Sequence, residues 1–169
     1  KEGLFIERKV KENATSAMIS SICKKGILDR SREDLIASDA VRELKVRTPS
    51  TETVVGTLSG GNQQKVVIGK WIVTNPSIFI MDTPTVGIDI GSKSEIYEQI
   101  HEFAAKGMAI ILISDEIPEI MANCNKVLVL SEGKCIGCLD ENDLIKEGAD
   151  RMISDLIGKE TGKADVKAC

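Results

Sequence analysis

The sequence predicts an α/β fold in which a parallel β-sheet follows an N-terminal helical segment. Short apolar runs alternate with amphipathic stretches of helical period, and this alternation is typical of a parallel sheet with right-handed crossover helices. Residues 1–57 are charged and mainly helical in pattern, whereas short continuous apolar runs appear in the sequence after Gly56. We therefore expect a helical segment at 1–57, a sheet-containing part at 58–160 and a disordered tail at 161–169.

The helical segment contains two amphipathic pieces. Apolar residues recur at helical spacing between Ala14 and Ile22, and Lys24-Lys25-Gly26 is predicted to end that stretch. A second piece runs through Leu35 and Leu44 until Thr48-Pro49-Ser50 breaks it.

The second part begins with a helix predicted from Ser59 to about Val73. We expect the hydroxyl of Ser59 to cap this helix, and Asn75-Pro76 to stop it. The apolar run 78–81 that follows is bounded by turn formers, which indicates a buried parallel strand.

The remaining elements continue the alternation. A helix is expected at 93–106 and closes at Gly107, because glycine commonly ends helices there. The later predictions are a buried strand at 109–113, a short helix at 118–122 and a third strand of the parallel sheet at 127–130. Glu132-Gly133 is predicted to turn the chain into a fourth strand at 134–139, and a helical stretch follows at 142–157.

Polar residues follow the first two strands, where ligands of parallel sheets usually bind. Asp82-Thr83 comes after the first strand and Ser114-Asp115-Glu116 after the second. Asp82 can hold Mg²⁺ through water opposite the phosphates of a nucleotide; the alternative is a turn or helix cap. Asp115 and Glu116 can join Asp82 at a metal, although carboxylates in this place more often cap the next helix.

The run from Leu58 to Lys65 has the chemistry of a phosphate site. The consecutive glycines Gly60 and Gly61 allow close approach of the backbone, and they lie at a helix start, whose N–H groups suit an anion. Ser59 adds a hydroxyl donor. For Ser-Gly-Gly alone, a glycine-rich turn with a serine cap would be the simpler interpretation.

Composition excludes some classes of function. The chain has 22 Lys and Arg against 26 Asp and Glu, so it lacks the basic excess of a nucleic-acid-binding protein. No apolar run approaches the roughly 20 residues that span a bilayer, and we expect a cytosolic protein. Cys135 and Cys138 have metal-knuckle spacing, but a second ligand pair is missing, so we interpret them as two thiols of a short strand.

Taken together, the motifs resemble those of ATP-binding-cassette (ABC) ATPases. Leu58 to Lys65 resembles their signature motif, Ile78 to Asp82 their Walker B strand, and Gly87-Ile88-Asp89 their D-loop. Gln63-Gln64 and the run from Gly87 to Lys93 resemble the C-terminal cassette of tandem ATPases that drive bacterial import of sugars of the ribose, galactose and xylose type. The resemblance covers nearly the whole chain and implies a truncated RecA-like (P-loop NTPase) sheet.

The resemblance also implies a composite ATP site between two cassettes. Ser59, Gly60 and Gly61, together with Asn62, Gln63 and Asp89, would contact ATP held by a partner cassette. Asp82 would serve the Mg²⁺ of this chain's own site. The implied partners are a second cassette, membrane permease subunits and, indirectly, a sugar-binding protein, with the chain on the inner face of the membrane.

The chain departs from the family in three ways. It contains no Gly-x-x-x-x-Gly-Lys-Ser/Thr loop, so we expect it to begin after that loop, with an exposed sheet edge through which it self-associates. Thr83 stands where a catalytic glutamate is usual, and a hydroxyl is no base near neutral pH. Asp115 stands at the position of the switch histidine. We therefore expect that the isolated chain is inactive, and that its own ATP site is weak or inactive while its signature motif supports hydrolysis at the partner's site.

Two other functions stay open from the sequence. One is a degenerate cassette with a structural or regulatory role. The other is a soluble ABC-type ATPase without a membrane partner.

Overall fold

The computed structural model describes residues 3–158, so the predicted disordered tail at 161–169 lies outside the described residues. The chain divides into two compact units. The first contains the residues up to Phe79 together with Pro84–Ile111, and the second contains Ile80–Thr83 and the residues from Leu112 onward. Within the described residues, no helix combines the length and the apolar character that crossing a bilayer requires.

The N-terminal part of the first unit is mainly helical, as predicted. Helix α1 packs against α3 and α4, and Ala14, Ala37 and Ala40 form a small buried cluster with Val73. The elements are α1 (Val10–Thr15), a 3₁₀ turn (Ser16–Met18), α2 (Ile19–Ile22), β1 (Cys23–Lys24), β2 (Ile27–Leu28), α3 (Arg30–Glu43) and a second 3₁₀ turn (Val55–Thr57).

The stretch at Lys24-Lys25-Gly26 does more than end a helix. Strands β1 and β2 pair antiparallel, with Cys23 opposite Leu28, and Lys25 and Gly26 form the two-residue turn between them. Both turn residues have positive φ, 52° and 80°, as the tightest hairpin turns require. The sequence prediction missed this hairpin because its strands are only two residues long.

Helices α4 (Gly60–Ile72) and α5 (Ile90–Ala105) complete the first unit and contact each other. Helix α4 agrees with its prediction. Helix α5 begins three residues earlier than predicted, because Asp89 caps it by accepting from the backbone N–H of Ser92 at 2.9 Å. Gly107 follows the helix with φ of 93°, so the expected glycine stop is confirmed.

Strands β3 (Ile78–Asp82) and β4 (Ala109–Ile113) are hydrogen-bonded neighbours. The N–H of Ala109 donates to the carbonyl of Ser77 at 3.0 Å, and the N–H of Thr83 donates to the carbonyl of Ile113 at 2.8 Å. Both strands therefore run in the same direction, as predicted. Their burial was predicted wrongly: alternate residues are exposed, namely Ile78, Ile80, Ile111 and Ile113.

The second unit contains a separate antiparallel hairpin. Strands β5 (Val127–Ser131) and β6 (Lys134–Leu139) pair with each other, so the prediction that the strand at 127–130 continues the parallel sheet is wrong for the described residues. The short turn at Glu132-Gly133 makes local pairing easy, since little chain must be ordered. Val127, Val129, Leu139, Leu144 and Ile153 form its core. The helices are α6 (Ile117–Asn123), α7 (Glu141–Leu144) and α8 (Ala149–Gly158).

Candidate functional site

The segment that leads into α4 is held by the N-terminal residues. The N–H of Val55 donates to the carbonyl of Arg8 at 2.9 Å, and the N–H of Gly56 donates to that of Ile6 at 3.0 Å. The buried Asn13 fixes the N-terminal side, because its Oδ1 accepts from the N–H of Phe5 at 2.8 Å. These bonds give the start of α4 a defined position.

Ion pairs support the same pairing of segments. Lys11, which is nearly buried, pairs with Asp34 at 2.8 Å and with Glu52. Lys9 pairs with Glu52 at 2.6 Å. Hydrogen bonds from Lys11 and Lys9 lower the pKa of Glu52 to about 2, so this carboxylate stays charged at any physiological pH.

Gln63 lies inside the turn before α4. It is only 7% exposed, and its Nε2 donates to the carbonyl of Leu58 at 2.9 Å and to that of Gly56 at 3.4 Å. The side chain therefore holds the loop that precedes Ser59.

Ser59 occupies the N-cap position of α4, but its hydroxyl caps no backbone N–H, so the predicted cap bond is wrong. Its Oγ instead accepts from Asn62 Nδ2 at 2.9 Å. Asn62 Oδ1 accepts from the backbone N–H of Arg47 at 2.7 Å. Both ends of the Asn62 amide are thus used, and the hydroxyl proton of Ser59 is left to donate elsewhere.

A buried lysine lies one turn further along α4. The side chain of Lys65 is 2% exposed, and its Nζ donates to Glu95 on α5 at 2.5 Å and to the carbonyl of Lys45 at 3.2 Å. Arg47 donates to the other oxygen of Glu95 at 2.5 Å. The hydrogen bond from Lys65 lowers the pKa of Glu95. Through its bonds to Lys65 and Arg47, this one carboxylate links α4, α5 and the segment at 45–47.

Gly61 is the point where α4 meets the start of α5. A Cβ atom at this position would lie 2.2 Å from Ser92 Oγ and 2.4 Å from Ser92 Cβ. Ser92 is held in turn by Asp89, whose Oδ2 accepts from Ser92 Oγ at 2.8 Å. Hydrogen bonds from Ser92 lower the pKa of Asp89. Only glycine fits at position 61, and it brings Asp89 and the start of α4 into one assembly.

The start of α4 has the features of an anion-binding surface. The first four N–H groups of an α-helix have no partner within the helix, and the helix dipole places partial positive charge there. No side-chain bond from Ser59 satisfies them. Ser59, Gly60 and Gly61 therefore present donors that suit phosphate oxygens.

Asp82 and Thr83 lie at the carboxyl end of β3, in the second unit. Both are exposed. Thr83 has a φ of 45°, a left-handed conformation that is rare for a β-branched residue. One carboxylate with room for water fits the usual protein contribution to a nucleotide-bound Mg²⁺, whereas the hydroxyl of Thr83 supplies no base.

The polar residues after β4 form a local turn. Ser114 Oγ accepts from the N–H of Glu116 at 3.0 Å and donates to Glu119 at 3.1 Å. Glu116 is the N-cap residue of α6 but makes no side-chain cap bond, so the expected carboxylate cap is not formed by this residue. Asp115 is exposed. Across residues 3–158, no three metal-ligating side chains of the His, Cys, Asp and Glu types are grouped.

Strand β6 brings the two thiols to one face. Cys138 lies opposite Leu128 and Cys135 opposite Leu130, with an irregularity in the register between them. Both partner leucines are exposed. Cys135 Sγ donates to the carbonyl of Gly137 at 3.5 Å.

The structure thus groups most of the predicted site residues. Ser59, Gly60, Gly61, Asn62, Gln63 and Asp89 belong to the first unit; Asp82, Thr83 and Asp115 belong to the second. Sequence reasoning missed the supporting residues Arg47, Lys65, Ser92 and Glu95. Lys65 offered one signal, since it is a charged residue directly before the apolar run at 66–68.

Comparison with protein-family models decides the family. The model described as ABC transporter matches residues 1–86, which is half of the chain. The chain belongs to the ABC transporter family. This finding confirms the resemblance that the signature motif suggested.

Curated relatives of the chain are named as ATP-binding proteins of sugar import. The Ribose import ATP-binding protein of Yersinia pestis bv. Antiqua is 40% identical over 146 residues, which are 86% of this chain and 29% of the relative. The Xylose import ATP-binding protein of Geobacillus kaustophilus is 40% identical over 147 residues, 87% of this chain and 29% of the relative. The chain spans less than a third of the length of these relatives.

Solved structures confirm the fold class. MJ1267, an ATP-binding cassette of an ABC transporter, superposes with a TM-score of 0.74 at 24% identity and covers 90% of this chain and 63% of its own. A dimeric cassette, MJ0796 bound to ADP and Pi, gives a TM-score of 0.67 at 18% identity, with 82% and 59% covered. The chain therefore has the α/β fold of an ABC cassette.

Proposed function

We propose that this chain works in the ATP-binding subunit of an ABC importer, and that it presents the start of α4 to ATP held by a partner cassette. Ser59, Gly60 and Gly61 would contact the terminal phosphate. The observation that carries the proposal is the hydrogen-bonding state of Ser59: its oxygen is occupied by Asn62 while its proton is left to donate. A hydroxyl held in this way is suited to a phosphate oxygen.

In this proposal the chain contributes unequally to two ATP sites, its own and that of the partner cassette. Asp82 would hold the Mg²⁺ of the chain's own site, and Asp89 would fix the loop beside the partner. Thr83 lacks the carboxylate that would polarise an attacking water. Hydrolysis in which this chain takes part would therefore occur mainly at the partner's site, and the isolated chain would not turn over ATP.

The transported substrate would be a sugar. Support comes from relatives at 40% identity, which are named for the import of ribose and of xylose. The partners would be a second cassette, membrane permease subunits and, indirectly, a sugar-binding protein, with the chain at the cytoplasmic face of the membrane. Mg²⁺ and ATP would be the cofactors. The exposed residues of β3 and β4 would be covered by another polypeptide or by self-association.

The sharpest test compares two substitutions in the assembled transporter that contains this chain. Ser59→Arg places a bulky side chain where the phosphate should lie, and we expect a loss of ATPase activity of about a hundredfold. Thr83→Ala removes only a hydroxyl, and we expect a change of less than about twofold.

The matched control is Ser154→Arg, which makes the same change at an exposed position of α8. It should leave the ATPase rate unchanged. Equal losses in Ser59→Arg and Thr83→Ala would contradict the proposed asymmetry, and so would clear ATP hydrolysis by the purified chain alone. Unchanged activity in Ser59→Arg would favour the structural or regulatory alternative.

A further inference from the structure

We propose that Asn62 is a positioning residue for Ser59, held in place by the backbone of Arg47. This inference deepens the proposed function and rests on it. The sequence alone placed Asn62 among the nucleotide contacts.

The first step concerns the amide of Asn62, which has both of its ends bonded. Its Oδ1 accepts from the N–H of Arg47 at 2.7 Å, so the amide can take only one orientation. Its Nδ2 must then face Ser59, to which it donates at 2.9 Å. The bond to Arg47 therefore fixes the amide so that one N–H of Nδ2 is aimed at the oxygen of Ser59.

The second step concerns the hydroxyl of Ser59. A serine hydroxyl rotates freely and can donate or accept. When Nδ2 of Asn62 occupies one lone pair of its oxygen, the proton cannot point back toward Asn62. The hydroxyl is thus directed to act as a donor, which is the role that a fully ionised phosphate oxygen requires.

The third step concerns Arg47, whose backbone N–H orients Asn62. Arg47 lies 15 residues before Asn62, and its position depends on side-chain contacts. Its guanidinium binds Glu95, which also binds the buried Lys65 of α4, and Lys65 donates to the carbonyl of Lys45. The segment at 45–47 is therefore attached to the same helix whose first turn it orients.

The test is a double-mutant cycle in the assembled transporter. Asn62→Asp keeps the size and shape of the side chain and can still accept from Arg47, but it accepts from the Ser59 hydroxyl instead of donating to it. The proton of Ser59 is then turned away from the phosphate. We expect the ATPase rate to fall about tenfold when Ser59 is present, and by less than about twofold when the same change is made in Ser59→Ala.

A direct repulsion between the new carboxylate and phosphate predicts a different result, since the loss would be equally large with and without Ser59. That additive outcome would overturn the inference. Asn125→Asp, the same charge change at an exposed position outside α4, is the matched control and should leave the rate unchanged.

A spectroscopic measurement separates this inference from the proposed function. In the isotope-labelled chain, Ser59→Ala should shift the side-chain amide resonance of Asn62, whereas Ser154→Ala should not. An amide resonance insensitive to Ser59→Ala overturns the positioning role even if Ser59 proves essential for ATPase activity. If Ser59→Ala shifts the resonance but leaves the ATPase rate unchanged, the hydrogen bond is supported and the proposed function is refuted.

Discussion

The start of α4 and the carboxyl end of β3 carry the two best-defined motifs of this chain, and they differ in how firmly they are built. At α4, Ser59, Gly61 and Asn62 each contact a residue that is fixed by further bonds. At β3, Asp82 and Thr83 are exposed, and Thr83 has an unfavourable backbone conformation. The difference is that the residues at the start of α4 are held by a network of contacts, whereas those at the end of β3 are exposed; this agrees with the proposal that the chain presents α4 to a partner cassette.

Gly61→Ala should give the largest effect on the α4 side. The added methyl would lie 2.2 Å from Ser92 Oγ, so the start of α4 must move relative to α5. Relieving this contact requires a shift of about 1 Å, and a misplacement of about 1 Å in a positioning element can reduce activity about a hundredfold. The ATPase rate of the transporter proposed above measures the effect.

Two further variants sharpen the Gly61 experiment. Ser92→Gly, combined with Gly61→Ala, removes the obstructing atoms and should recover most of the lost activity. Gly158→Ala in α8 has open space around the new methyl and should leave the rate unchanged. If the double variant is no better than Gly61→Ala, close packing against Ser92 is not the reason for glycine at this position.

Glu95→Gln should have an intermediate effect, on stability. It leaves the buried ammonium of Lys65 without its carboxylate. Because Glu95 is about one third exposed, we expect a loss of about 2 kcal/mol in the free energy of unfolding, less than for a fully buried pair. Urea denaturation at neutral pH provides the measurement.

The pH dependence of the same variant checks the cause. The pKa of Glu95 is lower in the folded chain than its ordinary value of 4.5. The ion pair therefore stabilises the fold above pH 4.5, and this contribution is lost as pH falls through the lower folded pKa. The difference in stability between the native chain and Glu95→Gln should shrink below pH 4.5. A difference that stays constant down to pH 2 would show that lost packing, and not lost charge, weakens the variant.

Thr83→Asn should give the smallest effect and acts at the end of β3. Asparagine tolerates the left-handed region better than a β-branched residue, so the substitution should stabilise the fold by up to about 1 kcal/mol. Asn75 has a similar φ of 51°, and the reciprocal change Asn75→Thr should destabilise by a similar amount. Thermal unfolding of both variants tests the pair. We expect the two variants to change the melting temperature in opposite directions. If both variants lower it, Thr83 makes contacts that outweigh its backbone strain.

Whether a sequence prediction succeeded depended mainly on whether the interactions behind it are local or long-range in the chain. The bounds of α4, β3 and β4 and the glycine stop at Gly107 were predicted to within one or two residues, because helix breakers and apolar periodicity act locally. The first turn of α5 was missed, since its cap at Asp89 lies within a motif that was interpreted for its function. The pairing of β5 was predicted wrongly, because an apolar run does not specify its neighbour.

The sequence by itself determined the family, most of the order of helices and strands, and the two motifs on which the proposed function rests. Tertiary structure decided how those motifs are used. It placed Arg47 beside Asn62, Ser92 against Gly61 and Glu95 beside Lys65, pairs that lie 15, 31 and 30 residues apart in the chain. The physical reason is that a local pattern specifies which groups a residue carries, whereas the direction in which a hydroxyl can donate depends on neighbours that only folding brings together.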